Sequence, residues 1–188
     1  MRFEFVVERG HMPSVAKIGH NHKRFNGWSI NEFREPILLT KLCYNACMKI
    51  RLAKQDDYQQ VMIMYNDFVG EKRYAAGGND SFLQVLRSPT NYLYVAELDG
   101  QLVGFASLSV RHVVRYPKLI AELDELYVDP NKREHGIGRQ LMQQIEATAK
   151  EQGCYRLFIE SHYKHTAAHK FYEGLGYTNN GYHFIKDM

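Results

Sequence analysis

The stretch from Leu119 to Gly138 constrains this chain more than any other. It reads Leu-Ile-Ala-Glu-Leu-Asp-Glu-Leu-Tyr-Val-Asp-Pro-Asn-Lys-Arg-Glu-His-Gly-Ile-Gly. An apolar-rich, partly alternating run to Val128 predicts a strand, Asp129-Pro130-Asn131 supplies turn chemistry, and Gly136 and Gly138 open a helical pattern. A strand that passes through glycines into a helix leaves several N–H groups without partners at the positive end of the helix dipole, and side-chain-free residues let a bulky anion come close. The junction suits a pyrophosphate.

Two common phosphate loops fail here. A nucleotide P-loop needs Lys-Ser or Lys-Thr after its last glycine, whereas Gly138 is followed by Arg139-Gln140, and a dinucleotide fingerprint needs a third glycine. What remains is Arg133-x-x-Gly136-x-Gly138, which resembles the pyrophosphate loop of the GCN5-related N-acetyltransferases, the GNAT family. Downstream, His165-Thr-Ala-Ala-His-Lys-Phe171-Tyr172-Glu-Gly-Leu-Gly176-Tyr177 places Ala168 four residues from Tyr172 and Phe171 four from Leu175, a short amphipathic helix closed by glycines. It resembles the second signature of the same family, and one helix and one strand separate the two motifs. The resemblance covers roughly Lys49 to Asp187.

The resemblance implies an α+β fold: a central mixed, mostly antiparallel sheet with flanking helices, its central strands Leu119–Val128 and Tyr155–Glu160 splayed apart. It implies acetyl-CoA as co-substrate in the cleft, its pantetheine arm bonded like an added strand along Leu126, Tyr127 and Val128. The diphosphate is then held by Arg133 and by the amides of Glu134, His135, Gly136, Ile137, Gly138 and Arg139. His165 stands where many members carry an Asn that contacts the cofactor, and an imidazole can donate a similar bond. Glu134 stands where relatives commonly have glycine, a carboxylate that repels the diphosphate unless it points to solvent. Lys132, Arg133 and Arg139 outweigh it.

Composition narrows the class. At 188 residues the chain suits one sizeable core, and 45% apolar with 24% charged residues describes a globular protein. No apolar run approaches the roughly 20 residues that cross a bilayer, and Glu4 and Glu8 interrupt the apolar N-terminus where a signal peptide would be continuous. Three cysteines, Cys43, Cys47 and Cys154, argue against a disulfide framework. A reduced, cytoplasmic protein is expected, with no membrane partner.

The charge is uneven. Residues 1–47 carry seven Lys or Arg against four Asp or Glu, giving +3, while residues 48–188 carry seventeen of each. A neutral body argues against a nucleic-acid partner, because phosphate contacts leave a basic footprint. The leader, 1–47, sustains no helical or strand period, and two readings compete: an appendage packing on the domain, or sequence upstream of the natural start that folds poorly, the second preferred. Cys43-x-x-x-Cys47 with His20-x-His22 lacks the tight spacing and paired downstream ligands of a structural zinc site, so no metal is expected. The acetyltransferase domain is expected over 48–188.

Within it, Lys49 to Lys54 predicts a strand, and Asp56-Asp57 caps a helix whose Tyr58, Val61, Met62 and Tyr65 mark one face. A helix over Asn79 to Arg87 stops at Ser88-Pro89, after a flexible loop through Arg73 to Gly78. Tyr92–Leu98 and Gln101–Val110 flank the hairpin signal Asp99-Gly100. Ile137, Leu141, Ile145 and Ala149 repeat every four residues until Gly153. Cys154–Glu160 predicts a strand and His183–Asp187 the last one.

Acyl transfer to an amine needs a base, because a free alkylamine is largely ammonium near pH 7. Alternation puts Glu122 and Asp124 on one face of the central strand and Glu125 on the other unless a bulge intervenes. Glu122, eleven residues before Arg133, matches the catalytic glutamate of histone-acetylating relatives and is the first choice, with Glu125 in reserve. By the same resemblance Tyr172 is the acid that protonates the leaving thiolate. Arg111, His112, Arg115 and Tyr116, on or beside the connection into the central strand, could bind an acidic group on the acceptor.

The ending and the Phe-Tyr helix look most like small-molecule members such as aminoalkylphosphonate N-acetyltransferases, so the expected partner is a small-molecule amine. Aminoglycosides, polyamines and protein N-termini stay open, as does a homodimer. Two other functions fit the same motifs: a GNAT toxin acetylating aminoacyl-tRNA, which needs a basic face, and a non-catalytic acyl-CoA-binding sensor.

Overall fold

The computed structural model describes residues 48–69, 78–182 and 184–186. The leader 1–47, with its Cys43, Cys47, His20 and His22, lies outside them, as do most of the Arg73–Gly78 loop and His183.

Among the described residues five strands form one sheet in chain order: β1 (Met48–Leu52), β2 (Asn91–Leu98), β3 (Gln101–Arg111), β4 (Ile120–Val128) and β5 (Arg156–Ile159). The first four pair antiparallel and β4 pairs with β5 in parallel, as the long crossover between them requires. That crossover carries α3 (Ile137–Glu151), while α1 (Tyr58–Val69) and α2 (Gly78–Arg87) lie between β1 and β2, and α4 (Thr166–Glu173) follows β5. The α+β class, with a mixed and mostly antiparallel sheet, is what the chain adopts, as the resemblance implied.

The sheet separates two apolar clusters. On one face Ile137, Leu141, Met142 and Ile145 of α3 pack on Ala106, Leu108, Ala121 and Leu123. On the other, Val61, Met64 and Phe82 pack on Val95, Phe105 and Tyr127. The four-residue repeat read along α3 is its buried stripe, whereas on α1 the inner face is completed by Met64 rather than Met62. Asp99 and Gly100, at φ 50° and 77°, make the tight β2–β3 turn that Asp-Gly signals. Asp57 does more than cap: Arg51 binds its carboxylate at 2.6 and 2.9 Å, and the Lys54 amide donates to it at 2.8 Å, so the first strand is tied to the turn entering α1.

Three expectations need correction. A bulge interrupts the β3–β4 ladder: Ser107 faces Glu125 and Leu108 faces Leu123, so Asp124 has no partner on β3. The last strand is absent among the described residues, since Phe184–Lys186 are exposed and irregular. The β5 ladder is also shorter than Cys154–Glu160, because it holds β4 only from Ile120 with Arg156 to Leu123 with Ile159.

Candidate active site

That early end of the β4–β5 ladder creates the site. Beyond Leu123 and Ile159 the two strands separate, and the rest of β4 keeps a neighbour only on the β3 side. Asp129 N–H donates to Val103 O at 3.0 Å, and alternation along an antiparallel ladder makes Phe105 and Tyr127 the next bonded pair. The backbone groups of Leu126 and Val128 therefore point away from β3, into the fork. Tyr127 does not join them: its ring stacks on Phe105 at 5.6 Å and its hydroxyl donates to Asp67 at 2.5 Å. Burial first, then that bond, hold its phenol well above the usual tyrosine range.

The fork runs into the glycine loop. Asp129 accepts from the Asn131 amide at 2.9 Å, closing a short turn over Pro130–Lys132, and Arg133 Nε donates to Val128 O at 3.0 Å. His135 Nδ1 lies 2.7 Å from Arg133 O. Glu134 and Gly136 then adopt φ 66° and 83°, reversing the chain into α3. Gly136 is the N-cap and supplies no side chain, and the first helical bond is Gln140 N–H to Gly136 O at 3.0 Å. Among the described residues the amides of Ile137, Gly138 and Arg139 meet no acceptor, as expected for a first turn that lacks a capping side chain. Ile137 offers only this amide, its side chain being buried in the core.

The second motif abuts the first. A Cβ on Gly138 would lie 3.4 Å from Phe171 Cζ and 3.7 Å from Val128 Cγ2, so the start of α3 lies against both α4 and the end of β4. Tyr172, next to Phe171, is half-buried beside Tyr177 at 6.2 Å. Burial raises its phenol above the usual range, and no hydrogen bond to its hydroxyl occurs among the described residues. Tyr177 is fixed instead by Glu146 Oε1 at 2.9 Å. His165 is the N-cap of α4, its ring 5.7 Å from that of His162.

On the other face, the bulge brings Glu125 to the side that Glu122 already occupies. Opposed residues on an antiparallel ladder share a face, and Glu122 lies opposite Ser109, Glu125 opposite Ser107. Arg111 forms an ion pair with Glu122. Tyr65 of α1 donates to Glu125 Oε1 at 2.9 Å, and Ser107 donates to Oε2. Asp124 Oδ1 accepts from Ser109 Oγ at 2.9 Å. Sequence reasoning missed Tyr65, Ser107 and Ser109, although Ser-Leu-Ser-Val-Arg in β3 is a polar stripe of period two within a buried strand.

The expected acceptor residues do not gather. Arg111 joins the carboxylates, whereas Arg115 lies over the Tyr116 ring at 4.9 Å, and Tyr116 sits 5.9 Å from both Tyr155 and Phe158, against β5 at the end of the sheet away from the glycine loop. His112 is exposed. No group of three metal-binding side chains occurs among the described residues. No helix among them is long and apolar enough to cross a membrane.

Known proteins share this fold. The chain is 27% identical over 140 residues to the aminoalkylphosphonate N-acetyltransferase of Salmonella typhimurium, covering 74% of this chain and 91% of that protein. Its fold matches a Bacillus halodurans protein described as a transcriptional regulator, with a TM-score of 0.70, 24% identity, and coverage of 75% and 99%. It also matches the aminoglycoside N-acetyltransferase AAC(6′)-Iy in complex with CoA, with a TM-score of 0.68, 19% identity, and coverage of 75% and 94%. The acetyltransferase (GNAT) family profile matches residues 56–177, and the chain belongs to that family of N-acetyltransferases.

Proposed function

We propose that this enzyme transfers the acetyl group of acetyl-CoA to the primary amine of a small molecule, by direct attack. The observation that carries the reading is the fork: β4 and β5 part after Leu123 and Ile159, and the open edge of β4 leads to the uncapped first turn of α3. A strand edge with outward-facing groups suits a pantetheine arm, and free amides at a helix N-terminus suit a diphosphate. Leu126 and Val128 hold the arm, and the amides from Gly136 to Arg139, with Lys132, Arg133 and Arg139, hold the diphosphate. Bound there, acetyl-CoA supplies an activated acyl group.

Tyr172 gives the leaving sulfur its proton. Among the described residues its hydroxyl meets no partner, and α4 is seated against the glycine loop through Phe171. The carboxylates of β4 attract the acceptor's ammonium, consistent with the amines named for the relatives. His165, at the head of α4, stands beside the cofactor. We assign this activity to a domain over 48–188, which contains the matched residues 56–177.

A panel of amine classes, read by thiol release from acetyl-CoA, tests the reading. Turnover with at least one small amine is expected, and Tyr172→Phe should lower kcat by about 10²-fold or more. Binding of acetyl-CoA without turnover on any amine would contradict it.

A further inference from the structure

Three carboxylates stand on β4 where it leaves its neighbours, and they differ in what already holds them. Glu122 lies in the paired part of the sheet, opposite Ser109 on β3 and Phe158 on β5, and Arg111 engages it. Glu125 accepts at both oxygens, from Tyr65 and Ser107. Asp124 differs from both. The bulge leaves it without a partner on β3, and the last β4–β5 pair, Leu123 with Ile159, comes one residue before it. Ser109 Oγ anchors Oδ1 at 2.9 Å, and among the described residues no donor meets Oδ2.

Resting on the acetyltransferase reading above, we infer that Asp124 is the general base of this enzyme, its free Oδ2 taking the proton of the acceptor ammonium where β4 and β5 part. Glu122, the choice that resemblance favours, is spent on Arg111, and Glu125 on two hydroxyls. The bulge takes Asp124 out of the β3–β4 pairing one residue beyond the last β4–β5 pair, so this carboxylate stands at the mouth of the fork.

The surroundings suit the task. Asp124 is exposed, and partial desolvation pushes its carboxyl up first, the Ser109 hydrogen bond opposes it, Glu125 and Glu122 repel its charge, and Arg111 partly relieves them, leaving it at about 6. Tyr65 of α1 faces the same group through Glu125. A base poised just below neutrality is ionised when substrate arrives, yet accepts a proton more readily than an ordinary carboxylate.

In the step, Oδ2 takes one proton from the ammonium and frees the nitrogen lone pair. The C–N bond to the acetyl carbon forms as the C–S bond breaks. The departing thiolate takes the Tyr172 proton, the new amide nitrogen returns its surplus proton to Tyr172, and Asp124 releases its own to water.

The experiment is the pH profile of kcat/KM for thiol release, using the best amine of the panel. Wild type should lose activity on acidification with a midpoint near pH 6. Asp124→Asn, which keeps the shape and the Ser109 bond, should lose about 10²- to 10⁴-fold and lose that acidic limb, and Asp124→Glu should recover part of it. Glu122→Gln, which removes one charge that attracts the ammonium, should lose less than Asp124→Asn and keep an acidic limb, moved to lower pH because a charge that repels Asp124 has gone.

A second readout needs no turnover. A carboxyl raised in the fold costs stability in full above its raised value and not at all below the ordinary carboxylate value, so the unliganded Asp124→Asn protein should melt higher than wild type at about pH 8, and the gain should shrink as pH falls through about 6 and vanish by about pH 3. An Asp124→Asn enzyme that keeps its acidic limb, a Glu122→Gln loss deeper than that of Asp124→Asn, or a melting difference independent of pH would overturn the inference and leave the acetyltransferase reading standing. A wild type that releases no thiol with any amine would overturn both.

Discussion

Glu134 holds its backbone at φ 66°, a left-handed conformation that disfavours any side chain, two residues before Gly136 at 83°. The chain needs both turns to swing from Arg133 into α3, and at Gly136 the residue type meets the need at no steric cost. Glu134→Gly should therefore gain about 1 kcal/mol in denaturant unfolding and lower the KM for acetyl-CoA, since a carboxylate beside the diphosphate is also removed. A loss of stability would contradict the account of this turn. The same glycines made the loop legible in the sequence, because few residues tolerate these torsions. Asp124 was not legible in that way: Glu-Leu-Asp-Glu-Leu fits an alternating strand in either phase, and only the unpaired residue in the β3–β4 ladder shows which side chains share a face.

The two family motifs form one packed unit, since Gly138 at the head of α3 lies against Phe171 of α4 and against Val128 at the end of β4. Phe171→Ala should cost about 2 to 3 kcal/mol and weaken acetyl-CoA binding as well, whereas a variant that loses stability with affinity unchanged would separate the helix from the loop. Behind the fork, a Cβ on Gly104 would lie 2.7 Å from Tyr127 O, so Gly104→Ala should destabilise the β3–β4 ladder by about 1 to 3 kcal/mol, measured by thermal unfolding. The helices and the hairpin were readable because Ile137, Leu141 and Ile145 keep one period and Asp99-Gly100 fits one turn type. Strand limits were not, because β5 stops where its partner diverges, and pairing is a property of two segments rather than of one.

One sheet with a core on each face explains how a chain can open a fork at one edge and stay folded. Stability resides in β1 to β4, where the Arg51–Asp57–Glu97 network ties the first strand to α1 and to β2. The Arg51 bonds hold the Asp57 carboxyl below the usual range, so its contribution is complete above the ordinary carboxylate value and is lost as pH falls through the lowered one. Arg51→Met should cost about 3 kcal/mol at pH 7, a gap that narrows on acidification below about pH 4. The most direct measurement is a calorimetric titration of acetyl-CoA into wild type, Gly136→Asn and Gly136→Glu. Nothing lies within 4 Å of a Cβ at Gly136, and Asn tolerates its torsions, so the Asn variant controls for the backbone while Glu adds a like charge at the diphosphate. One-site binding to wild type, nearly kept in Gly136→Asn and weakened at least about tenfold in Gly136→Glu, is predicted. No binding to wild type, or equal affinity in all three, would contradict the placement of the diphosphate at the head of α3.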